Sequence, residues 1–346
     1  MPRTRTLQGL APSFLAVLAF GLLSACDAGA TGPWVQSDNG YYATARLGWF
    51  STSKTYDMLG NEVDGSGVFK YKARTVAFNA EYGLSNRMTF LLGMPVQFLN
   101  LTFPAGTPNS FSNNGFGDLL FGLKYGFLNP EGKAAVALEL SAVTPTGYNS
   151  QGFGVPSMGR GKFSAFAGVH AGTTFDPAPV YVQGAVGYRK FTDDQVSNAI
   201  SYAAEAGFFA SPRILIVGEY QAEKSLDTDK TYFVDLTTLG GTVQYRLKPG
   251  LDVLAGLRAS LSGKNAGKGT TIRLGVAFKG NDLGRYRGQG SYGYTHGTFP
   301  GAKPRKAPDP VPVPDPVPVP DPVPAAPAAP DSSTTPAPPS APDTPK

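Results

Sequence analysis

Little in this chain suits a soluble catalyst. It has one cysteine and two histidines in 346 residues, and only 16% of its residues are charged. A lone thiol excludes an internal disulfide, and no His, Cys, Asp or Glu cluster has metal-ligand spacing, so no metal or other cofactor is expected. Beyond the first 30 residues no apolar run approaches the roughly 20 residues that a membrane-spanning helix needs. Basic residues outnumber acidic ones by 30 to 25, but they are scattered rather than striped, which argues against nucleic acid as a partner. What is plentiful is 43 Gly, 16 Tyr and 22 Phe, a composition for many strands and turns rather than helices.

Residues 1–30 read as a signal peptide. Arg3 and Arg5 form a positive start, and Leu10 to Leu23 form an apolar core of the usual length. Two cuts compete. Leu23-Ser24-Ala25-Cys26 resembles a bacterial lipobox, which makes Cys26 a lipidation candidate, whereas Ala28-Gly29-Ala30 is a small-x-small site that would discard it. The intact mass of the mature protein separates the two. Either way the chain is exported.

The segment Val76 to Phe98 sets the pattern for the rest. Val76, Phe78, Ala80, Tyr82 and Leu84 alternate with small or polar residues, Ser85-Asn86-Arg87 makes a turn, and Met88, Phe90, Leu92, Met94, Val96 and Phe98 line one face of the return. The unit recurs. Candidate strands fall at 40–52, 69–84, 87–102, 116–128, 133–146, 162–175, 179–192, 199–210, 213–225, 232–247, 251–262 and 270–280. Short connections such as 85–87, 129–132, 176–178, 211–212 and 248–250 alternate with longer ones such as 52–68, 104–115 and 148–161. Tyr82, Tyr125, Phe127, Phe175, Phe208, Tyr245 and Phe278 recur near the ends of alternate strands, in register with the apolar face.

This pattern predicts an all-β fold, a transmembrane antiparallel β-barrel of about twelve strands over residues 31–281. Ten or fourteen strands are the alternatives. Short turns would face the periplasm, with both termini there, and outer-membrane lipid would be the partner of the apolar face.

Three segments carry a resemblance. They are Glu81-Tyr82-Gly83-Leu84-Ser85-Asn86-Arg87-Met88-Thr89 through Pro95, Gly115-Phe116-Gly117-Asp118-Leu119-Leu120-Phe121-Gly122-Leu123-Lys124-Tyr125, and Ala142-Val143-Thr144-Pro145-Thr146-Gly147. Together they resemble the outer-membrane family labelled "MetA-pathway of phenol degradation", over roughly residues 40–280. The resemblance implies a transporter-type barrel. Its motifs read as turn and strand punctuation, not as catalytic residues.

Strand parity turns Arg46, Glu81, Asp118, Lys124, Glu139, His170, Arg189, Glu205, Glu219, Gln244, Arg246, Arg258 and Arg273 inward, because an Arg or Lys on the lipid face near the midplane costs about 2–4 kcal/mol. These residues would line the lumen of a channel for small solutes, or would pair and seal it. Arg246, Arg258 and Arg273 fall on consecutive strands and would make one positive wall, or pair with Glu81, Glu205 and Glu219. His170 lies near Ser164 and Thr174, but no nucleophile, base and orienting group are fixed together, so no enzyme is expected. Gly288-Gln289-Gly290-Ser291-Tyr292-Gly293 spells part of a dinucleotide fingerprint without a βαβ unit around it. Gly267-Lys268-Gly269-Thr270 likewise lacks the helix of a phosphate loop.

After Asn281 the alternation stops. Residues 282–306 form a Gly-, Tyr- and base-rich linker, and 307–346 a disordered proline-rich tail in which Asp309, Asp315 and Asp321 punctuate a Val-Pro repeat. About 40 residues at about 3.1 Å each reach on the order of 120 Å. Such a spacer would extend into the periplasm toward peptidoglycan or a periplasmic protein. That gives the rival reading, a structural envelope protein whose sealed barrel anchors the tail.

Overall fold

The computed structural model describes residues 32–103, 110–128, 134–147, 156–175 and 177–280. The leader, the 282–306 linker and the proline-rich tail lie outside the described residues. Sixteen strands are described. They are β1 (Tyr41–Thr52), β2 (Lys54–Tyr56), β3 (Glu62–Asp64), β4 (Lys70–Ser85), β5 (Met88–Thr102), β6 (Ser110–Phe116), β7 (Leu119–Gly126) and β8 (Ala134–Thr144). After them come β9 (Ser164–Thr174), β10 (Val180–Phe191), β11 (Ala199–Ser211), β12 (Ile214–Ser225), β13 (Asp235–Lys248), β14 (Leu251–Lys264), β15 (Ala266–Lys268) and β16 (Thr270–Gly280).

Sequential antiparallel pairing from β4 to β14 continues through β16 to β1, and β1 returns to β4. The result is a closed antiparallel barrel of twelve staves, β6 and β7 sharing one. Closure leaves no edge strand in the wall, the condition that lipid imposes on a sheet. The shared stave has a local cause. Pro95 has no N–H to donate, so β6 pairs with β5 only from Val96 upward and β7 only from Gly93 downward. Between them the Gly117 N–H donates to the Pro95 carbonyl at 2.8 Å. Part of the 104–115 connection is therefore strand, which composition alone reads as loop.

The outward face is apolar. The seven aromatics that mark strand ends, Tyr82 to Phe278, are all 38–54% exposed. Leu47, Leu92, Leu239, Leu257 and Leu274 are exposed between the aromatic levels. At the long-loop end β2, β3 and β15 form a small separate sheet, a second element that the 52–68 connection conceals. Glu62 clamps it, accepting from Lys54 Nζ at 2.9 Å and pairing with Lys268. These two ammonium groups, Lys268 first, hold the Glu62 carboxyl below its ordinary range.

Two outcomes follow. Leu274, paired with Leu47 and Ala255 midway along the wall, should not tolerate charge. Leu274→Arg is expected to cost about 2–4 kcal/mol in unfolding from lipid vesicles, whereas Leu274→Val should be near neutral. Because the Glu62 carboxyl is depressed in the folded state, its contribution is present at neutral pH and is lost as pH falls through that lowered value. Protection factors of the β2 and β3 amides should therefore drop in acid, and Glu62→Gln should flatten that dependence.

Candidate functional site

Inside the barrel one segment outside the wall packs against inward-facing side chains, both polar and apolar. Residues 32–39, ahead of β1, run across the bore at the short-turn end. The Gln36 backbone N–H donates to Thr89 Oγ1 at 2.7 Å, and its side chain donates to Glu81 Oε2 at 2.9 Å. The Asp38 N–H donates to Asn86 Oδ1 at 3.0 Å, and the Asn39 N–H donates to the Gly83 carbonyl at 2.9 Å. Lys124 Nζ donates to the Gly32 carbonyl at 3.1 Å and lies 3.6 Å from Glu81 Oε2. Trp34, 2% exposed, packs edge-on against Tyr181 in a cluster with Ala135, Leu215 and Val217. Two glycines make room. A Cβ at Gly83 would lie 1.7 Å from the Ser37 carbonyl oxygen, and one at Gly172 would meet Pro33 and Trp34 at 2.9 Å.

A second segment, residues 156–163, folds inward at the long-loop end. Met158 joins Phe69, Tyr71, Leu99 and Leu101 in a buried cluster. The Arg160 N–H donates to Asp118 Oδ2 at 2.8 Å, and its guanidinium pairs with Glu223 and lies 4.6 Å over the Phe191 ring. Asn113 Nδ2 donates to the Pro156 carbonyl at 3.0 Å. A Cβ at Gly117 would sit 2.7 Å from the Met158 carbonyl oxygen.

Between the two segments is a chamber of about 170 Å³. Phe50, Leu120, Phe166 and Leu236 give it apolar surface, and Arg46, Arg189, Arg258 and Arg273 give it cations. Glu219 Oε2 binds Arg258 at 2.9 Å and Arg273 at 3.0 Å, while Thr242 Oγ1 donates to its other oxygen at 2.8 Å. One carboxylate thus holds two guanidiniums in a fixed fork.

The thirteen polar positions selected by strand parity are all buried or half-buried. Glu81 and Lys124 come together, as do Glu139 and His170, whose Oε2 and Nε2 are 3.0 Å apart. Glu205 accepts from the Tyr181 hydroxyl at 2.5 Å. Arg189 lies 3.8 Å from Glu223, and Asp118 holds the second inward segment. Arg258 and Arg273 share Glu219, but Arg246 stands apart, 3.5 Å from Asp252, which also pairs with Gln244 and Lys279. The three arginines therefore do not form one wall. Asp252, Glu223, Lys279, Arg160, Trp34 and Gln36 were missed by reading the sequence. Parity was the available signal for three of them, since Asp252 shares the phase of Arg258, Glu223 that of Glu219 and Lys279 that of Arg273.

Residues 30–275 match the family described as "Putative MetA-pathway of phenol degradation". The structure is similar to a crystallised outer membrane channel from Pseudomonas putida F1, at 14% identity and a TM-score of 0.56, covering 72% of this chain and 98% of that one. Weaker likeness extends to the NanC porin, at 10% identity and TM-score 0.41, covering 68% of this chain and 98% of the porin. It also reaches the translocator domain of the autotransporter NalP from Neisseria meningitidis, at 11% identity and TM-score 0.43, covering 74% and 92%. No curated protein sequence matches the chain. The fold is that of an outer-membrane β-barrel.

Lys124 is fully buried beside Glu81, so Lys124→Met strips a buried carboxylate of its cation and the Gly32 carbonyl of its donor. Loss of one partner of a buried pair costs about 3–5 kcal/mol, enough to loosen the 32–39 crossing. In a Trp49→Phe background Trp34 is the sole tryptophan. Its emission should shift to the red and become quenchable by iodide in Lys124→Met but not in the parent.

Proposed function

The chain belongs to the MetA-pathway of phenol degradation family, and on that premise we propose that it is an outer-membrane channel for small solutes with an apolar body and a polar or anionic end. The observation that carries this reading is the chamber. Phe50, Leu120, Phe166 and Leu236 offer surface to an apolar body, and Arg46, Arg258 and Arg273 offer charge to its end. The guanidiniums are positioned by Glu219, so an anionic group meets cations that need no reorganisation to receive it. The lumen residues Arg46, Glu81, Asp118, Lys124, Glu139, His170, Arg189, Glu205, Glu219, Arg246, Arg258 and Arg273 line the route.

In this reading the short turns face the periplasm and both termini lie there. The 32–39 segment then stands at the periplasmic exit, and 156–163 at the outer entrance. Passage requires each to yield in turn. Neither segment belongs to a wall strand, which suits it to such motion. The proline-rich tail, outside the described residues, is the segment offered to peptidoglycan or a periplasmic protein.

The test is current through a planar bilayer. The mature protein should give small, reproducible conductance steps, and Lys124→Met should enlarge or prolong them. Glu219→Gln, which removes one negative charge beside Arg258 and Arg273, should raise anion selectivity, and Arg258→Ala should lower it. A folded, heat-modifiable protein that stays silent, with Lys124→Met equally silent, would overturn the channel reading in favour of a sealed barrel that anchors the tail.

A further inference from the structure

The outward face is apolar along most of the wall, and among the described strands the densest group of outward cations lies on β4 at the long-loop end. β4 places Lys70, Lys72 and Arg74 on the same face as Val76, Phe78 and Tyr82, all three cations exposed. Register fixes their height. Arg74 pairs across with Trp49 on β1 and Phe98 on β5, which are 37% and 48% exposed and mark the upper limit of the apolar band. Tyr82, paired with Tyr41, marks the lower limit. The span from Tyr82 to Arg74 is about 26 Å along the strand and on the order of 20 Å in height at a barrel tilt near 40°. Arg74 therefore stands at the boundary, and Lys72 and Lys70 rise above it in steps of about 5 Å.

The neighbours at those levels are neutral and polar. Lys72 lies between Ser51 and Asn100, and Lys70 beside Thr102. Ser112 on β6 pairs in turn with Asn100. β1, β5 and β6 contain no acidic residue, and the one acid of β4, Glu81, is buried inside. Among the described residues at this end, Lys54 and Lys268 meet Glu62 and Lys162 meets Asp193, while Lys190 on β10 is a single exposed cation rather than one of a group. Three like charges on one strand, with no acid on the adjoining strands, disfavour the bare surface, and hydroxyl and amide groups beside them supply further hydrogen bonds to an anion.

We propose that this face binds the phosphorylated headgroup of an outer-leaflet glycolipid, with Arg74 and Lys72 on the phosphate nearer the bilayer and Lys70, Asn100 and Thr102 on the outer sugar. A diphosphorylated headgroup matches the site in three respects: it is anionic, it lies at the height of the cations, and its acyl chains continue down the apolar stripe of Val76, Phe78 and Phe98. The inference rests on the orientation given above, with the long loops outside.

The experiment is a titration of the folded full-length protein in detergent with diphosphoryl lipid A, monophosphoryl lipid A and phosphatidylglycerol, followed by native mass spectrometry. Lipid A should bind most tightly. The triple variant Lys70→Gln/Lys72→Gln/Arg74→Gln should bind it on the order of 100-fold more weakly, about fivefold per cation. A control triple at the opposite end, Arg87→Gln/Arg213→Gln/Lys248→Gln, removes the same charge and should leave binding unchanged. Equal lipid A affinity in the β4 variant, an equal fall in the control, or phosphatidylglycerol binding as tightly as lipid A would each overturn the proposal. Orientation is checked separately by labelling Leu59→Cys, at an 81% exposed loop position, with an impermeant maleimide on intact cells. Labelling from outside with unchanged lipid A affinity defeats the lipid site alone; labelling only after permeabilisation defeats the orientation and the lipid site together.

Discussion

Closure of the backbone ladder is the constraint on which everything else here depends. A strand edge in lipid leaves N–H and C=O groups without partners at several kcal/mol each, so β1 must find β16, and it does so from Tyr41–Gly280 to Phe50–Thr271. Once the sheet is closed, alternation along each strand has only two destinations, lipid or lumen. The wall then sorts side chains with little freedom. Exposed Leu, Phe and Tyr go outward, and the ionic groups collect inside, where they must satisfy one another in a space of limited width.

Satisfying those inward groups shapes the interior. Glu81, Glu139 and Lys124 are almost fully buried, and charges that deep need partners. Part of the answer is between strands, as with Glu219, Arg258 and Arg273. The rest comes from chain that is not in the wall at all. Gln36 serves Glu81, the Gly32 carbonyl serves Lys124, and the Arg160 N–H serves Asp118. The two inward segments are thus held by the lumen's own polar groups, and the chamber is what remains between them.

The architecture was legible in the sequence because period-two alternation and turn chemistry act locally. The twelve staves begin and end within a few residues of the spans that those rules select, and the one stave read short, at 110–126, departs where Pro95 breaks the ladder of its neighbour. The small β2–β3–β15 sheet was not legible, since three-residue strands carry too little pattern. The charges that parity turns inward are buried or half-buried. Parity could not find which ones meet, because meeting across a lumen depends on height and rotamer, and it could not see Trp34 or Gln36, which belong to no strand.

The family motifs gain a different meaning from the structure. Glu81, Gly83, Asn86 and Thr89 read as the punctuation of a hairpin, yet each contacts residues 36–39 through a hydrogen bond or a close approach that excludes a Cβ. Gly117 and Asp118 read as a strand start, yet they receive Met158 and Arg160. A turn needs glycine or asparagine for its own backbone and does not need a buried glutamate or threonine beside it. Docking needs all of them: small residues for approach, and oxygens aimed at the donors of the incoming chain. The two motifs are therefore the seats of the two inward segments.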